Sequence, residues 1–327
     1  MKKVLITGAN GFLGSNVARE LYRNGYEVKL MMRSAASGIT SDIPCEVFYG
    51  NIDNANDVLF AVAGCDAVVH TASVTKQWAV PKKEYEAVNI TGTKNIVQAC
   101  LFHHVKKLVH VSTANTIGPG NIAHPADELS AFRFVKAHSH YINTKYIAQQ
   151  YVLEQVLQKQ LPAVVINPTF MLGENDSKPS SGQIILYGMN KKVLFVPPGG
   201  KNFVHIKDVS RGIVNALQHG VNGECYLLAG ENLSYKDFFK LLADVSGQKP
   251  LLVNIPGFIL KAGGLAGSVV GAIRRTTLKL NYASGYLLCI HNYYSGKKSE
   301  KELNITYTPV KTAVANALNW FRENNYC

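Results

Sequence analysis

The sequence predicts an α/β fold: a doubly wound parallel sheet covered on both faces by helices. Three observations carry that expectation. Through the first 168 residues, short β-branched and aliphatic runs alternate strictly with helical patterns, which implies right-handed crossovers between parallel strands. The first run, Val4–Ile6, leads through a glycine-punctuated turn into a helix with Leu13, Val17, Ala18 and Leu21 on one face. Finally, Gly8, Arg33, Thr71, Ser112 and Thr113 all fall at the C-terminal ends of predicted strands, where such sheets hold ligands.

Taken in order, the turn is T-G-A-N-G-F-L-G at residues 7–14. Gly8 lets the chain turn sharply as it leaves the strand. Gly11 lacks a Cβ, so a pyrophosphate can approach backbone N–H groups at the positive end of the helix, and Gly14 lets that helix lie tightly on the strand. Gly8, Gly11, Phe12, Leu13 and Gly14 are therefore candidate dinucleotide-binding residues of a Rossmann domain. Asn24-Gly25 ends the helix. A second strand, Glu27–Met32, runs to Arg33-Ser34. No Asp or Glu stands between Val28 and Ser41 to take a ribose 2′-hydroxyl, whereas Arg33 can fork onto a 2′-phosphate, so NADP(H) is favoured over NAD(H).

A third strand is expected at Cys45–Tyr49, a short helix at Asn54–Ala63, and a fourth strand at Asp66–His70 opening into Thr71, Ala72 and Ser73. A long helix comes next at Glu84–Leu101, then a strand at Lys107–Val111 ending in Ser112-Thr113, a helix at Tyr141–Gln160, and a strand at Leu161–Asn167 stopped by Pro168. Beyond Pro168 the rhythm breaks. Asn175–Gln183 reads as a polar loop, Pro197–Gly200 as a turn, Phe203–Ile206 as a short apolar segment and Asp208–Gln218 as a helix. Cys225–Ala229 is a strand, Ser234 caps a helix to Val245, Phe258–Ile273 is a mixed apolar segment, and Thr312–Glu323 is a last helix. This divides the chain into a nucleotide-binding body, 1–168 with 203–220 returning to it, and a smaller irregular substrate-binding part, 169–202 and 221–327.

Composition excludes several classes. With 47% hydrophobic and 17% charged residues in 327, the chain is globular rather than disordered. With a core strand directly after Met1-Lys2-Lys3, no cleaved leader is expected, and no stretch offers 18 uncharged apolar residues. The six cysteines form no C-x-x-C pair and read as small core residues in a reducing, cytoplasmic setting. The net charge of +12 is dispersed, with no nucleic-acid recognition pattern; it suits an anionic ligand, a membrane surface or solubility. His103-His104 and the pair His138, His140 lack partner ligands at metal spacing, so no metal site is expected. His70 and His205 read as hydrogen-bonded structural histidines.

The chemistry-bearing constellation is Tyr141-Ile142-Asn143-Thr144-Lys145. At i and i+4 on a helix, tyrosine and lysine share a face. An ammonium there is expected to lower the tyrosine pKa from its usual value near 10, so that the phenol can exchange a proton with a carbonyl oxygen or hydroxyl. Thr113 supplies a hydroxyl for the same oxygen.

With these residues in view, the chain resembles the extended short-chain dehydrogenase/reductases, the NAD(P)-dependent epimerase/dehydratase-like group, over nearly its whole length. The matching motifs are residues 7–14, G-C-D-A-V-V-H-T-A-S at 64–73, V-N-I-T-G-T-K-N at 88–95, V-S-T-A-N-T-I-G at 111–118, Y-I-N-T-K at 141–145 and F-V-H-I-K-D-V at 203–209. The resemblance implies that Thr113 is the catalytic Ser/Thr, Tyr141 the acid/base and Lys145 its partner and a nicotinamide-ribose ligand. It places Asn89 near the site and Pro168 near the nicotinamide, and adds Asn51, Ile52, Thr71, Ala72 and Ser73 to the cofactor-binding positions. Asn51 stands where the family commonly has an Asp reaching the adenine. It also implies a homodimer through helices 84–101 and 141–160.

Departures from the family pattern narrow the activity. Ala114-Asn115 replace the Asp-Glu pair of dehydratases. Lys201-Asn202 replace the Arg-Asp, and Asn167-Pro168 the Arg-Pro, of nucleotide-sugar epimerases. The resemblance therefore tilts to the dihydroflavonol-reductase and 3β-hydroxysteroid-dehydrogenase-like branch, implying an NADPH-dependent oxidoreductase for a largely apolar small molecule; the alternative is an NAD-dependent nucleotide-sugar epimerase. Phe258–Lys279, apolar but broken by Gly263, Gly264, Gly267 and Gly271 and flanked by Lys261, Arg274, Arg275 and Lys279, is expected to be a mobile wall of the substrate pocket, with rest on an anionic membrane as the alternative.

Overall fold

The structure is a computed structural model that describes residues 1–34, 42–76, 78–134, 139–274, 276 and 278–327. Arg275, His138 and part of the acid-free stretch after Val28 lie outside the described residues. Among those described, thirteen strands run in chain order: β1 Lys3–Thr7, β2 Glu27–Met32, β3 Glu46–Tyr49, β4 Ala67–His70, β5 Lys107–Val111, β6 Ala163–Pro168, β7 Phe170–Leu172, β8 Val193–Val196, β9 Gly200–His205, β10 Cys225–Leu228, β11 Glu231–Ser234, β12 Leu251–Asn254 and β13 His291–Asn292. Seven of them form one sheet in the order β10-β6-β5-β4-β1-β2-β3, with every neighbouring pair parallel. The order reverses between β1 and β4, and that switch point opens a crevice at the strands' C-terminal ends.

Alternation along the strands divides the core. Val4 and Ile6 of β1, with Val28, Leu30, Val109, Val111, Val164 and Ile166, face one layer; Leu5, Met31, Val68, Leu108 and Val165 face the other. On the first face lie α1 Phe12–Arg23, through Val17, Ala18 and Leu21, and the helix Ile206–His219, through Val209 and Ile213. On the second lie α2 Ala55–Val62, through Val58 and Ala61, the helix Gly92–Phe102, through Ile96 and Val97, and the helix His140–Lys159, through Val152. Both faces are thus covered, which is what makes a parallel sheet with near-continuous apolar strands stable.

The helices after α2, in chain order, are α3 Lys82–Tyr85, α4 Gly92–Phe102, α5 His140–Lys159, α6 Gln183–Gly188, α7 Ile206–His219, α8 Tyr235–Ser246, α9 Gly257–Ile273, α10 Tyr282–Leu287, α11 Lys297–Glu302 and α12 Val310–Glu323. The expected single helix over 84–101 is interrupted by a π turn, Glu86–Thr91, between α3 and α4. Cys225–Leu228, which the sequence division puts in the substrate part, is the edge strand beside β6. Its continuous apolar run reads the same whichever sheet it joins, so only the long-range pairing decides. The segment Phe203–Ile206 falls largely in β9, the hub of a small sheet that β7, β11 and β13 join. A third apolar cluster, with Phe203, Phe238, Phe239, Leu318 and Phe321, packs this sheet against α8 and α12.

Candidate active site

The glycine turn is shaped by close approach. Gly8 has φ +74°, and a Cβ there would lie 2.7 Å from the Ala72 nitrogen; on Gly14 it would lie 2.3 Å from the Gly8 carbonyl oxygen. Both residues are therefore held to glycine by backbone neighbours. Gly11 donates its N–H to Gly8 O at 2.9 Å and stands at the N-cap of α1 without a side-chain cap. The first-turn N–H groups, including those of Phe12 and Leu13, consequently offer positive potential to an anion. This cradle fits the pyrophosphate of a dinucleotide.

Beside it, the end of β4 is tied to β1. Thr71 Oγ1 donates to Thr7 O at 2.7 Å, and Ala72 N donates to Thr7 Oγ1 at 3.3 Å. Thr7 Oγ1 also lies 2.7 Å from His70 Nδ1, and His70 Nε2 lies 3.1 Å from Thr93 Oγ1. Since Thr93 gives its own proton to Asn89 O, Nε2 carries the histidine proton and Nδ1 accepts from Thr7. Burial, with the nearby Lys145 charge second, pushes His70 down to about 3, so it stays neutral and structural.

Asn89, on the π turn, is the junction of the site. Its Oδ1 accepts from Ser73 Oγ at 3.0 Å and from Val74 N at 2.8 Å, while its Nδ2 donates to Thr144 Oγ1 at 3.0 Å. The loop after β4 is thereby fixed to α5. Arg33 is exposed at the end of β2. Asn51 is also exposed, its N–H held by Asp57 Oδ2 at 2.8 Å; Ile52 is buried, and its carbonyl accepts from Asn95 at 3.1 Å.

Thr113, Tyr141 and Lys145 converge where β5 meets α5. Thr113 leaves β5 as the cap of a short 3-10 turn, Ala114–Thr116. Ser139 caps α5 by accepting from Ile142 N, which puts Tyr141 in the first turn. Burial raises the Tyr141 hydroxyl above its ordinary value, and a hydrogen bond with Thr113 opposes that rise. Lys145 is 3% exposed and donates to Val111 O at 2.7 Å; burial brings its ammonium down to about 7. The expectation that Lys145 lowers the tyrosine pKa meets an opposing influence: burial raises the phenol, while the ammonium donates to a backbone carbonyl and is itself weakened by desolvation.

Two groups of residues lie outside the sequence expectations. Asn167 Nδ2 shares its two protons among Thr113 O at 3.1 Å, Thr116 Oγ1 at 2.9 Å and Gln149 Oε1 at 2.8 Å, tying the turn after β5 to β6 and α5, while its Oδ1 has no partner among the described residues. The departure Asn167-Pro168 is the signal for it, since a buried amide N–H needs an acceptor. Pro168 and Thr113 also line a small cavity with Lys201, Asn292 and Tyr294, whose one signal is the Lys201-Asn202 departure. Among the described residues, no three His, Cys, Asp or Glu groups gather as metal ligands.

A dinucleotide cradle at the switch point of a parallel sheet, beside a Thr-Tyr-Lys cluster, defines the class of extended short-chain dehydrogenase/reductases. The model of the NAD dependent epimerase/dehydratase family matches residues 4–229, and the chain belongs to that family as an NAD(P)-dependent enzyme. It is 27% identical to sterol demethylase protein B of Methylococcus capsulatus, covering 98% of each chain. It is 26% identical to 3-beta-hydroxysteroid dehydrogenase of Mycolicibacterium neoaurum, covering 98% of this chain and 92% of that protein. The solved structure of gox2253 superposes with a TM-score of 0.87 at 29% identity, covering 99% of each.

Proposed function

We propose that the chain is an NADPH-dependent carbonyl reductase, or the reverse alcohol dehydrogenase, for a largely apolar small molecule. The observation that carries this reading is the convergence of Thr113, Tyr141 and Lys145 beside the glycine cradle. Gly8, Gly11, Phe12, Leu13 and Gly14 hold the pyrophosphate; Arg33 pairs with the 2′-phosphate; Asn51 and Ile52 face the adenine; Thr71, Ala72, Ser73 and Pro168 flank the rest of the cofactor. Bound nicotinamide supplies or accepts the hydride.

Thr113 orients the substrate oxygen and Tyr141 exchanges a proton with it. Lys145 binds the nicotinamide ribose while Val111 O and Asn89 fix the geometry around it. A phenol whose pKa burial has raised stays protonated at neutral pH, which suits an acid that donates to a newly formed alkoxide. Relatives named for sterols support an apolar substrate, and the Ala114-Asn115 and Lys201-Asn202 departures speak against dehydration and nucleotide-sugar epimerisation.

The test is steady-state NADPH oxidation against a panel of steroid and flavonoid ketones, in wild type and Tyr141→Phe. The proposal expects turnover in the first and a loss of about 10²-fold or more in the second with NADPH affinity retained. Undiminished turnover in the variant overturns it.

A further inference from the structure

We infer that Lys201, Asn292 and Tyr294 form a recognition pocket for a carboxylate carried by the substrate, immediately beside Thr113. The inference deepens the reductase reading, on which it rests for the position of the substrate. The small sheet builds the pocket: β13 runs parallel to β9 with Asn292 directly opposite Lys201. Tyr294 comes two residues later. Together with Thr113 and Pro168 they line a cavity of about 50 Å³. That is room for a few waters or one small polar group, and too little for a diphosphate.

What marks this cavity is unmet polarity. Asn292 is 3% exposed, and neither its Nδ2 nor its Oδ1 has a hydrogen-bond partner among the described residues. Tyr294 is also 3% exposed, and its hydroxyl has none there either. Lys201 pairs with no carboxylate among the described residues; its ammonium lies 4.8 Å from the centre of the Phe170 ring. Burial pushes that ammonium down to about 8, the signature of a cation without its counter-ion. Buried polar groups in folded proteins are nearly always satisfied, so two orphaned side chains beside a half-buried ammonium that pairs with no carboxylate point to a missing ligand. Water could satisfy the amide and the phenol but would leave the ammonium uncompensated.

A carboxylate meets all three demands. It brings one negative charge and several acceptor positions to an ammonium, an amide N–H and a phenol O–H, and charge-assisted hydrogen bonds are the strongest of their kind. The Phe170 ring flanks the ammonium. The substrate class becomes an apolar keto or hydroxy acid, its carboxylate in this pocket and its reacting oxygen at Thr113 and Tyr141.

The probe is benzoate, with benzamide as its uncharged counterpart, titrated calorimetrically into the full chain saturated with NADP⁺. Benzoate is expected to bind at least about tenfold more tightly than benzamide. Lys201→Met should weaken benzoate about tenfold or more, and Tyr294→Phe, which removes one oxygen and keeps the ring, should weaken it several-fold; NADP⁺ affinity should be unchanged in both, reporting an intact fold. Equal binding of the two probes, no binding of benzoate, or wild-type benzoate affinity in a Lys201→Met protein that still binds NADP⁺ overturns the inference. Tyr141→Phe separates the two readings: if it leaves ketone turnover undiminished while benzoate binds as expected, the pocket stands and the reductase assignment falls.

Discussion

At the scale of single residues, the site is governed by what burial does to Lys145. Its pKa of about 7 lies below the ordinary value of 10.5, so between those limits the folded cofactor-free chain binds fewer protons than the unfolded one. Stability gained by neutralising the lysine is therefore absent below pH 7 and accrues as pH rises toward 10.5. Lys145→Met should raise the melting temperature of the cofactor-free protein most at about pH 6, with the gain shrinking steadily toward about pH 10, as a series of calorimetric melts would record. A constant difference across that range would mean that the ammonium is not desolvated. Asn89→Ala should act differently. It strips partners from Ser73, Val74 and Thr144 at once, so a stability loss of about 1–3 kcal/mol is expected in chemical denaturation, with cofactor affinity falling alongside. The motif residues are legible in the sequence because backbone chemistry fixes them: Gly8 and Gly14 have no room for a Cβ. The environment of Tyr141 and Lys145 is not, because helical spacing places two side chains on one face without saying whether the ammonium will meet the phenol or the carbonyl of Val111.

At the scale of elements, α9 shows what the glycines of an apolar segment are for. The segment is a continuous helix, Gly257–Ile273, despite the glycines that weaken it. Gly264, Gly267 and Gly271 form the face on which the chain after it lies: a Cβ on them would come 2.7 Å from Asn281 O, 1.9 Å from Leu280 O and 2.6 Å from Thr276 O. The glycines serve close packing at the cost of some helix propensity. Gly267→Ala should consequently cost about 1–3 kcal/mol through forced displacement of that backbone, whereas an alanine at an exposed helical glycine without neighbours should stabilise. Urea denaturation checks this, and an unchanged midpoint for Gly267→Ala would contradict it. On the opposite side Phe258, Leu265 and Ile273 are 73%, 59% and 78% exposed. No described helix is long and apolar enough to cross a membrane. Strands are easier to read than this helix because β1, β2, β4, β5 and β6 are buried on both faces and announce themselves as apolar runs. The small sheet escapes sequence reading because β13 is two residues long and its pairing with β9 joins distant parts of the chain.

At the scale of the whole molecule, the parallel sheet and its switch point bring the cradle, Arg33 and the Thr-Tyr-Lys cluster to one edge, and the order of strands and helices alone implies this much. The family resemblance implies a homodimer through helices 84–101 and 141–160, and on α4 and α5 Phe102, Ile147 and Leu157 are 67%, 48% and 86% exposed. Leu157→Asp should convert a dimer to monomer in sedimentation velocity, and a wild-type monomer at micromolar concentration would refute the placement. The proposed NADP(H) preference rests on Arg33: Arg33→Asp should weaken NADP⁺ about tenfold or more while leaving NAD⁺ nearly unchanged, and equal wild-type affinities for the two would remove the assignment. The central claim, net hydride transfer to a carbonyl with the proton supplied by Tyr141, is tested most directly by isotope transfer. NADPH carrying deuterium at both C4 positions of the nicotinamide is incubated with the chain and the ketone it turns over, and the alcohol product is analysed by mass spectrometry. The account predicts one deuterium in each alcohol formed, one NADPH consumed per product, and loss of labelled product in Tyr141→Phe. Conversion of a nucleotide sugar with no net consumption of cofactor, or label transfer undiminished in Tyr141→Phe, would contradict it.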